Sequence, residues 1–513
     1  MRLILCLAAA LLAAASTSHA RDRAVTGVVY LETDGRPGRG AGDPALPGVQ
    51  VSDGRRIVRS GADGRYRLEA VPDGRIVFAI KPDGYRFAAR ADGLPDFWFT
   101  AGTGRDFALL RDRPARHDAE VLVFADTQVK NAADIGYYRR DIVEPLAGRH
   151  RARFGITLGD VVNDDPTLYP ALNAATAQLG VPWFHVPGNH DLDAGAAGDE
   201  DSLATWRRVF GPDTFAVEEG GARFVLLDDV IHLGDMRYVG GLREDQFAFL
   251  EAYLAGVPKE ARLVIGLHIP LFDAGGRETF RRADRERLFA LLRPFADVLV
   301  LSGHSHTQRH HFHDADDGWH GAKPLHEYNV GAVCGAFWSG VKDAEGMPDA
   351  TMSDGTPNGH ATLRLPREGG YALAWHPARL PPGDPAFTAA MALHAPKVLR
   401  RGAYPAYGVY ANVFMGMDDT RVEYRIDDGA WQPMRRVERP DPRVLAENVR
   451  DDEADALRGY DRSPEAAPSA HLWRGALPTD LAPGEHRIEV RAFDRWHGEQ
   501  RASAVYRLQE AAP

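Results

Sequence analysis

Five times between residues 119 and 306, an apolar run of strand length stops at a side chain able to hold a cation. VLVFAD leads into Asp126-Thr127-Gln128, FGITLGD ends on Gly159-Asp160, and PWFHVPG ends on Gly188-Asn189-His190-Asp191. ARLVIGLHIP carries His268, and ADVLVLSGH leads into Gly303-His304-Ser305-His306. Helical stretches lie between them, such as DSLATWRRVF, REDQFAFLEAYLAG and ETFRRADRERLFALLRPF. Apolar strands alternating with helices predict an α/β layered domain built from βαβ-like units. Open sheets of that kind bind ligands where strands end at their carboxyl edge, so the five segments are expected to converge.

The converging residues are carboxylate, amide and imidazole donors with no thiolate, a set suited to divalent metals handling phosphate. Two neighbouring ions need one bridging carboxylate. Asp160 is the best placed, because Gly159 lets the chain bend tightly after its strand and no other carboxylate sits so centrally among the segments. Two such ions share and deprotonate a water and neutralise the attacking and leaving oxygens of an in-line displacement. Asn189 offers an amide oxygen, which leaves His190 free to protonate the leaving oxygen or to stabilise charge on the phosphoryl group, with Asp191 orienting His190 or its loop. His304 and His306, two apart on what reads as an extended segment, are expected to point the same way and serve adjacent ions.

Different chemistry flanks this middle third. Residues 24–112 read as short alternating strands, with Asp-Gly pairs at Asp53-Gly54, Asp63-Gly64, Asp73-Gly74 and Asp83-Gly84 marking the hairpins of a small β-sandwich. A polar link, RDRPARHD at 111–118, precedes the middle domain, read as 118–385. Residues 395–513 are strand-rich again and predict a second antiparallel sandwich, with 440–469 as an exposed insertion. Three units suit a chain of 513 residues, since single cores stop growing at roughly 250 to 300 residues.

The first twenty residues place Arg2 before an apolar stretch and a small-residue site at Ser18-His19-Ala20, the pattern of a cleaved signal sequence. A periplasmic or secreted protein without a transmembrane anchor is expected. Cys6 falls inside that leader, so the mature chain has the single thiol Cys334 and no internal disulfide. Set between small and apolar residues, Cys334 reads as buried and inert. With 61 basic and 72 acidic residues and a formal net charge of -11, the chain has no general nucleic-acid-binding surface.

The order Asp126-x-Gln128, Gly159-Asp160, Gly188-Asn189-His190, His268, Gly303-His304-x-His306 resembles the calcineurin-like metallophosphoesterase superfamily. The resemblance implies a four-layer α/β core and two divalent ions drawn from Mn, Mg, Fe or Zn. It assigns one ion to Asp126, Gln128, Asp160 and His306, and the other to Asp160, Asn189, His268 and His304, with His190 as the catalytic histidine that is not a ligand. Most of the superfamily has His where this chain has Gln128, and the neutral amide oxygen shifts that position toward oxygen-preferring ions such as Mn or Mg. The flanking runs, GVQVSDG with DGRYRLE at the front and HLWRGALPTDLAPGEHRIEVRAFDRW at the end, resemble a bacterial branch carrying a transthyretin-like domain before the core and a β-rich domain after it.

The implied function is hydrolysis of phosphate mono- or diesters by a metal-bridging hydroxide. The alternatives are a protein serine/threonine phosphatase-like enzyme and a non-catalytic cell-surface or carbohydrate-binding protein. His310, His311 and His313 read as a solvated loop, Asp164 and Asp165 as either partners of an imidazole or an exposed turn, and Asp354-Gly355-Thr356-Pro357-Asn358-Gly359 as a tight turn. Trp338, Trp431 and Trp473 read as packing residues.

Overall fold

The computed structural model describes residues 23–36, 38–102, 104–112, 118–273, 277–404 and 406–511. The leader read as a signal sequence and residues 113–117 of the polar link lie outside them. At the front, two four-stranded sheets stack. One has the order Arg65–Val71, Arg23–Leu31, Phe107–Arg111, Tyr85–Phe87; the other runs Ile57–Arg59, Gln50–Ser52, Ile76–Ala79, Trp98–Thr100. Gly54, Gly64, Gly74 and Gly84 all hold φ between 76° and 84°, a left-handed backbone that the Asp-Gly turns of these strands require.

The middle of the chain is a four-layer α/β core. Its first sheet has the order Trp183–Val186, Phe154–Leu158, Ala119–Phe124, Gly359–Leu365, Ala372–Pro377, the first three parallel and the last two antiparallel. Its second has the order Phe215–Glu219, Ala222–Leu226, Arg262–Gly266, Asp297–Ser302, Leu325–Asn329, Arg309–His313, with four parallel strands between antiparallel edges. The sheets face each other: Phe154 of one meets Phe224 of the other edge-on, ring centroids 5.0 Å apart. Helix Ala132–Tyr138 covers the outside of the first sheet through Tyr138 on Phe124, and helix Arg282–Leu292 covers the second through Phe289 on His313. Covered on both faces, the central strands are predominantly apolar, and Phe154–Leu158 and Arg262–Gly266 are buried at every residue.

A second sandwich follows. Met391–His394, Gly408–Val413, Leu472–Ala476 and Arg435–Arg436 form one sheet; Val398–Arg400, Gly498–Gln509, Gly484–Asp494, Val422–Ile426 and Gln432–Pro433 form the other. Trp473, Ile488, Val490 and Tyr506 fill its own core. The chain is welded at both joints. Buried Lys81 of the front sandwich pairs with buried Glu219 of the core at 2.8 Å. Buried Asp354 of the core pairs with buried His471 of the rear sandwich at 3.1 Å.

Two sequence readings are corrected. The stretch 440–469 is not simply an exposed insertion: Asp441 accepts a hydrogen bond from the Arg443 amide at 2.7 Å and caps helix Pro442–Asp452. Proline in the first turn after an Asp cap is a strong helix start, which the charged composition obscured. Nor are His310, His311 and His313 a solvated loop. They lie on strand Arg309–His313, where His310 stacks on Tyr328 at 4.6 Å and His313 is fully buried.

Candidate metal centre

Asp126, Gln128, Asp160, His304 and His306 all hold positive φ, from 41° to 72°. L residues seldom adopt that backbone, and such strain gathers where a site over-determines the chain. The His304-x-His306 segment is therefore not the extended strand expected from its spacing. Left-handed turns at both histidines, and not alternation along a strand, set their directions. Glycines allow the crowding around them. A Cβ on Gly159 would lie 2.3 Å from His268 Nδ1, and one on Gly188 would lie 2.2 Å from Asp160 Oδ1.

Two three-residue groups result, and they share one carboxylate. Asp160, His268 and His304 form the first, Asp126, Asp160 and His306 the second, with the donor atoms of each within 4.8 Å of one another. In the first, His268 Nε2 faces Asp160 Oδ2 at 3.4 Å, Asn189 Oδ1 at 3.1 Å and His304 Nδ1 at 3.2 Å. In the second, His306 Nε2 lies 3.5 Å from Asp126 Oδ1, and the Gln128 amide lies 3.3 Å from Asp160 Oδ2. All seven residues expected as ligands thus border one point of the fold.

The supporting hydrogen bonds fix which nitrogen faces inward. His268 Nδ1 donates to the Leu158 carbonyl at 2.8 Å and His306 Nδ1 donates to the Gly335 carbonyl at 2.8 Å, so each turns its Nε2 to the site. Buried Asp229 accepts from the His268 and Ile269 amides, both at 2.9 Å, and pins the loop that carries His268. Sequence reasoning missed Asp229, because an Asp pair after an apolar strand carries no distinctive spacing.

Burial and mutual repulsion dominate the electrostatics. Burial pushes the Asp126 carboxyl well above the usual carboxylate range, with the Asp160 carboxylate adding to the rise and His268 opposing it. Burial would also raise Asp160, but the charge and hydrogen bond of His268 outweigh it and hold Asp160 low. Burial pushes His304 down to about 3 and His306 down to about 4, so both are neutral donors at neutral pH. Neither buried Asp is paired with Lys or Arg among the described residues. Two desolvated carboxylates beside inward-turned imidazoles form a donor set that divalent metal ions fit.

His190 and Asp191 part company. The His190 amide donates to Asp160 Oδ1 at 2.8 Å, and its half-buried ring lies with Nδ1 2.9 Å from Asp164 Oδ1. Asp191 does not touch that ring. Its buried carboxylate accepts from the amides of Gly188, Val161 and Val162 and from the Tyr169 hydroxyl, which ties together the loops after two strands. Cys334 is buried, and burial pushes its thiol up; it lies 3.8 Å from both Gln128 Oε1 and His306 Nδ1.

The site opens into a cleft of ≈ 330 Å³, walled by Gln128, Asn189, His190 and His304 and also by Tyr238, Phe337, Ser353 and Pro464. Phe337 packs on the His306 ring at 4.5 Å and Tyr238 meets the His304 ring edge-on at 5.9 Å. Tyr238 opens the short strand Tyr238–Gly240 and Phe337, Ser353 and Pro464 lie in loops, none of them in a recognisable pattern.

Comparison with known families matches three consecutive models: "N terminal of Calcineurin-like phosphoesterase" over residues 34–110, "Calcineurin-like phosphoesterase" over 119–308, and "C terminal of Calcineurin-like phosphoesterase" over 327–500. No curated protein matches the chain in sequence. Among solved structures, the chain is similar to a purple acid phosphatase from yellow lupin (Lupinus luteus) seeds, at 14% identity and TM-score 0.38 over 70% of this chain and 67% of that one. It is also similar to a structure described as PhoD, at 11% identity and TM-score 0.36 over 64% of this chain and 81% of that one.

Proposed function

The chain belongs to the calcineurin-like phosphoesterase family and is a metal-dependent phosphoric ester hydrolase; from that premise we propose that it is an exported enzyme that uses two divalent ions to cleave phosphate mono- or diesters. The observation that carries this reading is the pair of donor groups sharing Asp160. Asp126, Gln128, Asp160 and His306 would hold one ion, and Asp160, Asn189, His268 and His304 the other, the ions being Mn, Mg, Fe or Zn. Bound there, two such ions supply positive charge to the phosphoryl oxygens and make water a competent nucleophile at neutral pH.

The remaining work falls to the chain's own side chains. His190 faces the cleft beside Asp160, positioned to give a proton to the departing ester oxygen. Asp164 holds the His190 ring by Nδ1, which leaves Nε2 for that proton. Asp191 keeps the loop of Asn189 and His190 against the loop of Asp160, so ligand and acid move together. Tyr238 and Phe337 line the cleft with apolar surface, which supports an ester bearing an apolar or planar substituent.

The leader pattern at 1–20 supports export to the periplasm or beyond, and no helix among the described residues is long and apolar enough to cross a membrane. Assay of chromogenic phosphate mono- and diesters tests the reading. Hydrolysis should vanish on chelation and return with added metal; metal-loaded protein that cleaves neither ester would instead favour a binding protein.

A further inference from the structure

A second donor cluster sits on the edge strand of the six-stranded sheet. His311 and His313 are two apart on strand Arg309–His313 and so project from one face, ring centroids 4.5 Å apart. Beyond the strand the chain turns back through Gly318 at φ 88°, the Asp317 amide donating to the Asp314 carbonyl at 3.2 Å. That turn sets Asp317 Oδ2 2.8 Å from His311 Nε2 and 3.4 Å from His313 Nδ1. One donor atom from each of the three residues lies within 4.8 Å of the other two.

The orientation of the His313 ring points to a ligand. Fully buried Glu327 lies with Oε2 2.6 Å from His313 Nε2, while its Oε1 accepts from the Ser302 hydroxyl at 2.7 Å and the Leu271 amide at 3.1 Å. Held this way, the ring is anchored to the Glu327 carboxylate by Nε2 and turns Nδ1 toward the cluster. Nδ1 is buried, has no hydrogen-bond partner, and looks toward the Asp317 carboxylate and the His311 ring. A carboxylate behind an imidazole whose other nitrogen faces a shared point is the arrangement that supports metal-bound histidine.

We propose that His311, His313 and Asp317 bind one further divalent cation of the zinc class, with Glu327 as the positioning residue behind His313. Two imidazoles and one carboxylate select borderline ions such as Zn, Co or Ni over Mg or Ca. His311 and Asp317 are 22% and 28% exposed at the side chain, so the site faces solvent and has room for a water ligand. A cation there ties the edge strand to the turn that follows it.

Zinc content of the full-length protein tests this. Metal-free wild type, His311→Ala and Asp317→Asn are each loaded with zinc, desalted, and assayed for zinc and for ester hydrolysis; both positions are partly exposed, and Asp317→Asn keeps the shape of the side chain. Wild type should retain one zinc equivalent more than either variant, with hydrolysis the same in all three. Cobalt in place of zinc should give wild type a visible absorption component that both variants lack. Equal zinc content in all three proteins would overturn the proposal and leave the cluster an ordinary imidazole–carboxylate pair. Hydrolysis that falls together with zinc content would also overturn it, since the cation would then serve the phosphoesterase centre.

Discussion

Asp164 reaches His190 across the mouth of the cleft, its Oδ1 2.9 Å from His190 Nδ1, and holds φ at 63° to do so. The half-exposed pair adds little to stability. Its consequence is orientation. His190→Ala should lower kcat by about 100-fold or more, the range lost with a general acid. Asp164→Asn should lower kcat about 10-fold with KM nearly unchanged, as loss of a carboxylate behind a functional imidazole does. Steady-state kinetics on one chromogenic ester checks both; wild-type kcat in the Asp164 variant would remove that residue from the mechanism.

Gly188 leaves no room for a side chain beside Asp160: its φ of -119° is ordinary, and the approach of a Cβ to Asp160, 2.2 Å from Oδ1 and 2.3 Å from the backbone nitrogen, forbids alanine. Gly188→Ala should therefore fold yet lose bound metal and turnover together. Metal analysis with circular dichroism reads this, and a variant with wild-type metal content would contradict the crowding described at Asp160.

Most of the core, and the convergence of the residues expected as ligands, were legible in the sequence because those residues follow apolar strands, and strand ends at one sheet edge meet in space. Asp126, Asp160, Asn189 and His268 follow that rule. His304 and His306 reach the same point by left-handed turns, which spacing does not reveal. Asp164, Asp229, Tyr238 and Phe337 were not legible as site residues, because their places depend on loop conformation and long-range packing. Helix Pro442–Asp452 was hidden for a different reason: its charged, half-exposed surface masks an Asp-Pro start.

Gln128 is the proposed ligand that departs from the pattern the resemblance implies, and its amide lies 3.3 Å from Asp160. Gln128→His replaces a neutral oxygen donor with an imidazole and should raise zinc affinity relative to manganese. Competition between the two ions, read by metal analysis of Gln128→His and wild type, checks this. An unchanged preference would show that Gln128 does not tune the site.

His185 carries a pH dependence unrelated to catalysis. It is buried against Trp206 and Phe210 with neither ring nitrogen hydrogen-bonded, and burial pushes it down to about 3. Its unfolded value is near 6.5, so the folded state refuses a proton that the unfolded state takes. Stability is thus undiminished above about pH 6.5 and falls by about 1.4 kcal/mol per pH unit as pH drops toward 3. His185→Phe should flatten that part of the acid slope, measured as unfolding midpoints at several pH values; parallel slopes for wild type and variant would rule the assignment out.

The buried Asp354–His471 pair joins the core to the rear sandwich, and the same carboxylate accepts from the Gln308 amide at 2.8 Å, two residues past His306. Asp354→Ala removes the carboxylate that His471 and the Gln308 and Thr356 amides share and should cost about 3 kcal/mol or more. A lower thermal midpoint with reduced turnover is expected, and unchanged values of both would show that the joint does not support the His306 segment.

The most direct test of the central claim is the turnover of Asp160→Asn, measured beside wild type on a chromogenic phosphate ester with metal supplied in excess. The shared-carboxylate account predicts a folded protein whose rate falls by more than the roughly 100-fold typical of losing a supporting hydrogen bond. A variant that turns over at the wild-type rate would contradict it.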